Sequence, residues 1–268
     1  MFQDQRHLIE LVNFKSKRYL KKTISNKDFF YLLKKEYEIE NILTKKDVTP
    51  KVFGLNKHFF CEEFIVSKKI ILNRDFLFKI ANAFRRIHNV NLNKFTTLKN
   101  DFIKDKKYCL YFLYKKIINN APVGSFNKEF IQKLDYLIKF YEFYLNKKKL
   151  SFCLIHGDLS PKNILLDAKG NTKVIDWVDA RIDLPSHDIV QFFYLFKLNK
   201  KQQKMFLKFY GDFIYDEIVF DMHLTMLWLY DFVDFWLKHR KENKDKINKI
   251  IAKIKKYEKN IMFCSTSR

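Results

Sequence analysis

The alternation of apolar and polar positions near the start of the chain predicts strands first and then a helix. Residues 8–23 mix apolar and charged side chains in a way that predicts two short strands, joined by a turn at 15–17. Ser25-Asn26 is a helix-cap signal, and a helix is predicted from about 27 to 43. The segments VFGL and HFFCEEFIV then predict two further strands around a turn at 54–57.

The rest of the chain is predicted to be mostly helical, with one β-rich interruption. Helices are predicted at 74–88, 101–118 and 127–146, and again from Ser186 onward. Between them, LSFCLIHGD ends in a loop, NILLD is a short strand, AKGN a turn and TKVIDW a second strand. A small β-rich part before a larger helical part predicts an α+β fold of two lobes, residues 1–65 and 66–268, which would meet near 62–67.

The composition indicates a folded chain with a large apolar core. Hydrophobic residues make up 47% of the 268 positions and Phe alone supplies 29, so global disorder is excluded. Only 5 Gly and 4 Pro are present, which favours long helices over a Gly-rich β-sandwich. The four cysteines lie far apart and form no CxxC pair, which is typical of reduced thiols. With no apolar run at the start, the sequence predicts a cytoplasmic protein.

The formal net charge of +22 has two interpretations. The lysines either cover solvated faces, or they attract a partner that carries phosphate, such as a nucleic acid or an anionic membrane. Their dispersion along the chain favours solvated faces. A late stretch with Ile at 247, 250, 251 and 254 among lysines is an amphipathic helix that packs on the domain or lies on a membrane. We therefore predict no specific nucleic-acid partner, no transmembrane segment, and at most peripheral contact with an anionic membrane.

The β-rich interruption holds three residues whose types and spacing predict a magnesium–nucleotide site. Asp158 follows an apolar strand, Asn163 comes five residues later, and Asp176 ends the second strand of the hairpin. Phosphoryl transfer needs the nucleophile, the phosphate and the metal held in line, with the charge neutralised. A carboxylate can take the proton of the acceptor hydroxyl, and amide and carboxylate oxygens are the ligands that Mg²⁺ prefers.

The stretch HGDLSPKNILLDAKGNTKVIDW, residues 156–177, resembles the catalytic loop and metal-binding strand of the aminoglycoside phosphotransferase and choline kinase superfamily. The resemblance implies a protein-kinase-like fold, Mg²⁺, and ATP or GTP as phosphate donor. It implies Asp158 as catalytic base, with His156 also catalytic, and Asn163 and Asp176 as metal ligands. Lys162, inside the same loop, is a catalytic candidate that would neutralise charge developing on the transferred phosphate, or else it is a solvated side chain. Ile175 would contact the nucleotide.

The N-terminal part is similar to the nucleotide-binding lobe of that superfamily. RYLKK resembles the strand that delivers a phosphate-contacting lysine, and Lys21 is the first choice with Lys22 as the alternative, because only one of two neighbours can face the cleft. Glu36 resembles the helix glutamate that orients this lysine, with Glu38 and Glu40 as alternatives. CEEFI resembles the hinge, where the backbone of Glu63, Phe64 and Ile65 would meet the base. The superfamily usually has a glycine-containing loop over the triphosphate, whereas this chain has no Gly before Gly54.

The acceptor is expected to lie beside Asp158 against the late helices. Trp228, Asp231 and Asp234 lie on one face of the predicted helix MLWLYDFVDFWLKH, and such carboxylates and aromatic rings suit a cationic ligand. The pattern favours the alternative, an amphipathic helix whose aromatic rings belong to the core and whose aspartates face solvent. Asp188, in VDARIDLPSHDIV, matches an acidic residue of the superfamily and is a further substrate candidate.

These residues predict a small-molecule kinase that phosphorylates a hydroxyl of an aminoglycoside, a choline-like amine or a sugar. One alternative is a kinase of a cell-surface glycan or lipopolysaccharide core sugar, held at an anionic membrane by the basic surface. Outside enzymes, the charge would suit a basic nucleic-acid-binding protein, and the missing Gly-rich loop would suit a pseudokinase. Neither of these explains the ordered set of Asp158, Asn163 and Asp176.

Overall fold

The computed structural model describes residues 7–24, 26, 30–97, 132, 135, 139, 151–211, 216–227 and 252. The chain divides into two compact units. The first comprises 1–103 with 152–214, and the second comprises 104–151 with 215–268. The lobe boundary predicted at residue 65 falls inside the first unit and stays a prediction. The whole stretch from His156 to Asp188 belongs to that same unit, together with the N-terminal strands.

An antiparallel sheet of four strands opens the first unit, in the order β1-β2-β4-β3. Its strands are β1 (His7–Phe14), β2 (Lys17–Ile24), β3 (Val52–Phe53) and β4 (Phe59–Glu63). The turn between β1 and β2 consists of Lys15 and Ser16, whose φ angles are 48° and 62°. Two positive φ angles give the tight turn that matches the twist of the strands, so the hairpin closes without glycine.

Helix α1 (Phe30–Thr44) contributes Leu33 to an apolar core that it shares with Ile24 and Phe60 of the sheet. The predicted helix start at 27 cannot be compared, because 27–29 lie outside the described residues. The same helix also buries charged side chains, namely Lys35, Glu36 and Glu40. Because buried charges are costly unless they are paired, these residues are expected to meet partners from other elements.

Helix α2 (Arg74–His88) has the bounds that the sequence predicts. Asn73 caps it by accepting a hydrogen bond from the N–H of Phe76 at 2.9 Å. Two more helices complete the first unit, α3 (Pro185–Leu195) and α4 (Lys200–Tyr210). The ring of Phe84 in α2 lies 5.5 Å from the rings of both Phe192 and Phe206, measured between centroids. The phenylalanine-rich composition therefore serves an aromatic core between these helices.

Two short antiparallel pairs carry the candidate chemistry. Strand β5 (Cys153–Ile155) pairs with β8 (Arg181–Asp183), and β6 (Ile164–Leu166) pairs with β7 (Thr172–Val174). Asp167 closes the second hairpin by accepting hydrogen bonds from the N–H groups of Lys169 and Asn171. Strand β8 was not predicted, because three residues without alternation become a strand only through pairing with β5, far away in the sequence.

Most of the second unit lies outside the described residues. Residues 217–227 are helical, as are 132, 135, 139 and 252. The predicted helix at 101–118 lies outside the described residues, and so does most of the one at 127–146. Among the residues that the structure describes, no helix is both long and apolar enough to cross a membrane.

Candidate active site

The loop that follows β5 reverses direction at Gly157, whose φ is +84°. A Cβ built on Gly157 would lie 2.5 Å from the backbone oxygen of Asp179 and 2.7 Å from Nη1 of Arg181. Glycine is therefore required here twice, by the backbone angle and by the close approach of a neighbouring chain segment. This turn presents Asp158 directly after the buried end of the strand.

Asp158, Lys162 and Asn163 lie together, as the sequence predicts from their spacing. The Asn163 amide nitrogen donates to Asp158 Oδ2 at 3.0 Å and to the Asp158 backbone oxygen at 2.9 Å. Lys162 Nζ lies 3.7 Å from the same carboxylate, which is 32% exposed. The carboxylate is thus oriented by one neighbour, lies near one positive charge, and remains open on one side. These are the requirements for a general base.

His156, which the sequence predicts to be catalytic, binds the backbone of the loop through both ring nitrogens. Its Nε2 donates to the backbone oxygen of Ile175 at 2.9 Å, and its Nδ1 accepts from the N–H of Asp158 at 3.2 Å. The ring is fully buried and lies edge-on against Trp177, with 4.6 Å between the centroids. Both ring nitrogens are used by the backbone, so His156 is a positioning residue for Asp158.

Asp176 follows β7 and is held near Asn163 by the hairpin. The N–H of Ile175 donates to the backbone oxygen of Asn163 at 3.0 Å. Asp176 has a φ of 67°, a strained angle for a residue other than glycine, and such strain concentrates at functional sites. Burial and the nearby charge of Glu36 raise the pKa of its carboxyl group.

Lys22, and not Lys21, lies beside the helix glutamate, which corrects the first choice made from the sequence. Lys22 Nζ donates to Glu36 Oε1 at 2.7 Å, and its side chain is buried. Lys21 points to the other face of β2, where its Nζ lies 3.3 Å from the exposed carboxylate of Glu10. The pairing of Lys22 with Phe60 of β4 and with Ile9 of β1 fixes this orientation.

Helix α1 is joined to the segment after Asp176 through two consecutive side chains. Glu36 Oε1 accepts from the N–H of Trp177 at 3.3 Å. Lys35 Nζ donates to the backbone oxygen of Ala180 at 2.9 Å and is itself buried. The alternative orienting residue Glu38 faces elsewhere and binds the backbone N–H groups of Thr96 and Thr97. Hydrogen bonds therefore connect Lys22, helix α1 and the segment after Asp176.

Two of the three N–H groups of the predicted hinge are used by the protein itself. The N–H of Glu63 donates to the backbone oxygen of Lys51 at 2.8 Å, and that of Phe64 donates to the backbone oxygen of Arg18 at 3.1 Å. Within the described ranges, no protein acceptor is found for the N–H of Ile65. A base that binds this backbone would therefore use Ile65 as its donor.

Asp188, which the sequence predicts as a substrate residue, is buried and binds the backbone of the loop. It is fully buried, and its carboxylate accepts from the N–H of His156 at 2.8 Å, from the N–H of Gly157 at 3.1 Å, and from Nε2 of His88 at 3.2 Å. Burial acts to raise the pKa of Asp188, but the hydrogen bonds and the charge of His88 outweigh it and lower the pKa to about 2.

Two positioning residues were not predicted from the sequence. Gln191 of α3 accepts from the N–H of Leu159 at 2.7 Å and donates to the oxygen of Gly157 at 3.1 Å. Glu62 lies with its Oε2 2.7 Å from Lys22 Nζ. Glu62 lies in the predicted strand that contains CEEFI, and its inward direction could have been read from the alternation with Phe60. Gln191 offers no such signal. The acceptor candidates Trp228, Asp231 and Asp234 lie outside the described residues.

The donor set of the loop suits a hard divalent cation. Asn163 uses its amide nitrogen on Asp158, which leaves its side-chain oxygen as a ligand. Asp176 supplies a carboxylate whose raised pKa reflects burial and an excess of negative charge around it. An amide oxygen, a carboxylate and surplus negative charge fit Mg²⁺.

The chain is similar to known proteins in sequence profile and in fold. The sequence profile of the choline/ethanolamine kinase family matches residues 15–265. Among solved structures, the choline kinase LicA from Streptococcus pneumoniae superposes with a TM-score of 0.67 at 14% identity, over 93% of this chain and 90% of that one. The gentamicin–APH(2″)-IIa complex gives 0.67 at 15% identity over 93% and 90%. ADP-bound aminoglycoside phosphotransferase APH(2″)-Ib gives 0.65 at 15% identity over 94% and 93%.

No curated protein sequence matches the chain significantly. The structural likenesses, all at low identity, establish a kinase-like α+β fold, and the family profile covers almost the whole chain. The chain therefore belongs to the choline/ethanolamine kinase family and is a phosphotransferase with an alcohol group as acceptor.

Proposed function

We propose that this protein transfers the γ-phosphate of ATP or GTP to the hydroxyl of a small amino alcohol, of the choline or ethanolamine class, with Asp158 as general base. The observation that carries the proposal is the partly open Asp158 carboxylate, oriented by Asn163 on a loop of the family's type. No other group in that loop combines exposure with the capacity to take a proton.

The reaction follows from the residues around Asp158. Its carboxylate accepts the proton of the acceptor hydroxyl, while the hydroxyl oxygen forms a bond to the γ-phosphorus. The bond between the γ-phosphorus and its bridging oxygen breaks, and the electron pair remains on the nucleoside diphosphate. Lys162, 3.7 Å from the Asp158 carboxylate, is placed to neutralise charge that develops on the transferred group. His156 and Asn163 keep the carboxylate in the reacting orientation.

The nucleotide side involves both the sheet and the hairpin. The N–H of Ile65 donates to the base, and Lys22 serves the phosphates from its position beside Glu36. Asn163 and Asp176 would hold Mg²⁺, which would supply charge neutralisation and orientation of the phosphates. The turn of Lys15 and Ser16 contains no glycine, so the proposal assigns the phosphate contacts to Lys22 and the metal site and not to a Gly-rich loop.

Two further acceptor classes remain in competition with the amino alcohol. An amino sugar is favoured by the likeness to the gentamicin–APH(2″)-IIa complex, although that similarity shows the fold alone. A glycan precursor at a membrane is favoured by the net charge of +22. Only the membrane alternative requires binding to anionic vesicles that weakens as salt is added.

The acceptor is identified by mass spectrometry of reactions that contain the protein, Mg-ATP or Mg-GTP, and one acceptor at a time. Choline, ethanolamine, an aminoglycoside and simple sugars form the panel. We expect choline or ethanolamine to gain one phosphate. If only the aminoglycoside or a sugar gained phosphate, the proposed acceptor class would be wrong, whereas the proposed phosphoryl transfer would stand.

The control separates catalysis by Asp158 from general loss of charge. Asp158→Asn is expected to remove the product, while Asp75→Asn, at an exposed position on α2 that pairs only with Lys79 in the described contacts, is expected to retain it. Product formation by Asp158→Asn at the wild-type rate would refute Asp158 as base.

A further inference from the structure

Lys22 is surrounded by three carboxylates rather than one. Its Nζ lies 2.7 Å from Glu36 Oε1, 3.2 Å from Glu40 Oε1 and 2.7 Å from Glu62 Oε2. The ring of Phe60 lies 5.3 Å away, measured from Nζ to the centroid. An ammonium group has three N–H donors and no acceptor. Side chains of the protein therefore surround most of the Lys22 ammonium group.

All four side chains of this cluster are buried. Lys22 is 7% exposed, and none of the three carboxylates exceeds 2%. Burial acts to lower the pKa of Lys22, but the three carboxylates outweigh it and raise the pKa well above its ordinary value. Lys22 is thus a charged group enclosed by more negative charge than it can balance.

The excess negative charge is also visible on the carboxylates. Burial and the charge of Glu62 raise the pKa of Glu40 well above its ordinary value, and burial raises that of Glu62 as well. Among the described residues, Glu40 Oε2 is buried and has no hydrogen-bond partner. The cluster holds more acceptor oxygens than Lys22 has N–H groups, so Lys22 cannot satisfy all three carboxylates at once.

The three glutamates are not equivalent. Glu36 also accepts from the N–H of Trp177, which joins α1 to the segment after Asp176. Glu40 lies one turn further along α1, and Glu62 approaches from β4 at contact distance but without the alignment of a hydrogen bond. Releasing Glu36 would disconnect the helix from the Asp176 segment, whereas releasing Glu40 or Glu62 would not.

We propose that Glu40 and Glu62 are positioning residues that hold Lys22 back from the nucleotide, so that Lys22 contacts a phosphate only after one of these two carboxylates lets go. This inference rests on the proposed nucleotide site. The contact with Glu36 persists throughout. Glu40 competes with the phosphate for an N–H group of Lys22, and the carboxylate of Glu62 competes with it for the charge of the ammonium. Nucleotide affinity is therefore lower than the residues of the site would otherwise give.

The test measures the Kd of Mg-ATP and of adenosine by calorimetry for the wild type, Glu40→Gln and Glu62→Gln. Each amide keeps the size of the side chain but removes the charge that competes for Lys22. We expect at least one of the two variants to bind Mg-ATP five-fold or more tightly, with adenosine affinity unchanged within two-fold. If Glu40 and Glu62 had a purely structural role, each variant would bind both Mg-ATP and adenosine more weakly, or would bind both as the wild type does.

Glu38→Gln is the matched control. It removes the same charge from the same helix, but its carboxylate faces Thr96 and Thr97 and does not touch Lys22. Its Mg-ATP affinity is expected to stay within two-fold of wild type. If Glu38→Gln bound Mg-ATP more tightly by the same factor, the effect would come from the overall electrostatic field of the protein, and the proposal would be overturned.

The remaining outcomes separate this inference from the proposed function. If the wild type binds Mg-ATP and neither amide variant binds it more tightly, the inference fails alone. If no form of the protein binds Mg-ATP, the proposed function fails and takes the inference with it. If the amide variants do not fold, Glu40→Asp retracts the carboxylate by one methylene and is measured instead. Loss of folding in that variant too would make the cluster purely structural and overturn the proposal.

Discussion

At the scale of single residues, Gly157 sets the direction of the catalytic loop. Gly157→Ala is expected to lower the free energy of unfolding by about 3 kcal/mol or more, because a positive φ costs about 1 kcal/mol and the overlap with Asp179 adds to it. Gly54→Ala is the control, since φ is +73° there but no atom lies within 4 Å of the added Cβ. Urea unfolding measures both. Equal losses would show that the close approach at Gly157 carries no energy.

Lys21 and Lys22 offer a second comparison at this scale. Lys22→Met leaves three buried carboxylates without their cation and is expected to lower the free energy of unfolding by about 3 kcal/mol. Lys21→Met removes only a surface pair with Glu10, which contributes about 0–1 kcal/mol. Thermal or urea unfolding of the two variants checks the difference. A larger loss for Lys21→Met would mean that the strand faces the other way.

The residues of the loop could be predicted from the sequence, whereas the choice of lysine could not. Asp158, Lys162 and Asn163 are separated by at most five positions, so local geometry brings them together. Lys21 and Lys22 are neighbours on a strand, and only the register of β2 against β4 decides which one faces α1. Such long-range pairing leaves no local trace in the sequence.

At the scale of elements, helix α3 fixes the loop through Asp188. Asp188→Asn is expected to lower the free energy of unfolding at pH 7 by about 2–4 kcal/mol, because charge-assisted bonds to two backbone N–H groups and to His88 are weakened. Gln191, which binds the same loop, remains in place. Urea unfolding measures this loss. A loss below 0.5 kcal/mol would mean that the attachment of the loop to α3 does not depend on the Asp188 carboxylate.

The pH dependence of the wild type gives an independent check of Asp188. Its folded pKa of about 2 lies below the ordinary 3.8, so its stabilisation is complete above about pH 4 and is lost as the pH falls toward 2. Between pH 6 and pH 3, the wild type is expected to lose about 1 kcal/mol more than Asp188→Asn. Parallel losses in the two proteins would contradict the lowered pKa.

The elements with strong local patterns were predicted with their correct type. Helix α2 has an Asn cap and a regular apolar face, and its bounds agree with the prediction at both ends. Strand β8 has neither signal, because its three residues are defined by pairing with β5. The N-terminal hairpin was predicted from its mixture of apolar and charged positions. Its turn closes without glycine because Lys15 and Ser16 both adopt positive φ.

At the scale of the whole molecule, the kinase-like fold and the family follow from the ordered motif and were confirmed by the comparisons. The net charge of +22 had suggested a nucleic-acid-binding protein as an alternative, and membership of the family favours the enzyme. The identity of the acceptor cannot be read in the same way. Its expected contacts, Trp228, Asp231 and Asp234, lie outside the described residues.

The most direct test of the central claim is the rate at which phosphate moves from Mg-ATP to choline or ethanolamine, measured together with the Kd of Mg-ATP, for the wild type and Asp158→Asn. The account predicts that kcat falls by about 10²–10⁴-fold while the Kd changes by no more than a few-fold, as expected for loss of a general base from an intact nucleotide site. Transfer at an undiminished rate by Asp158→Asn would contradict it.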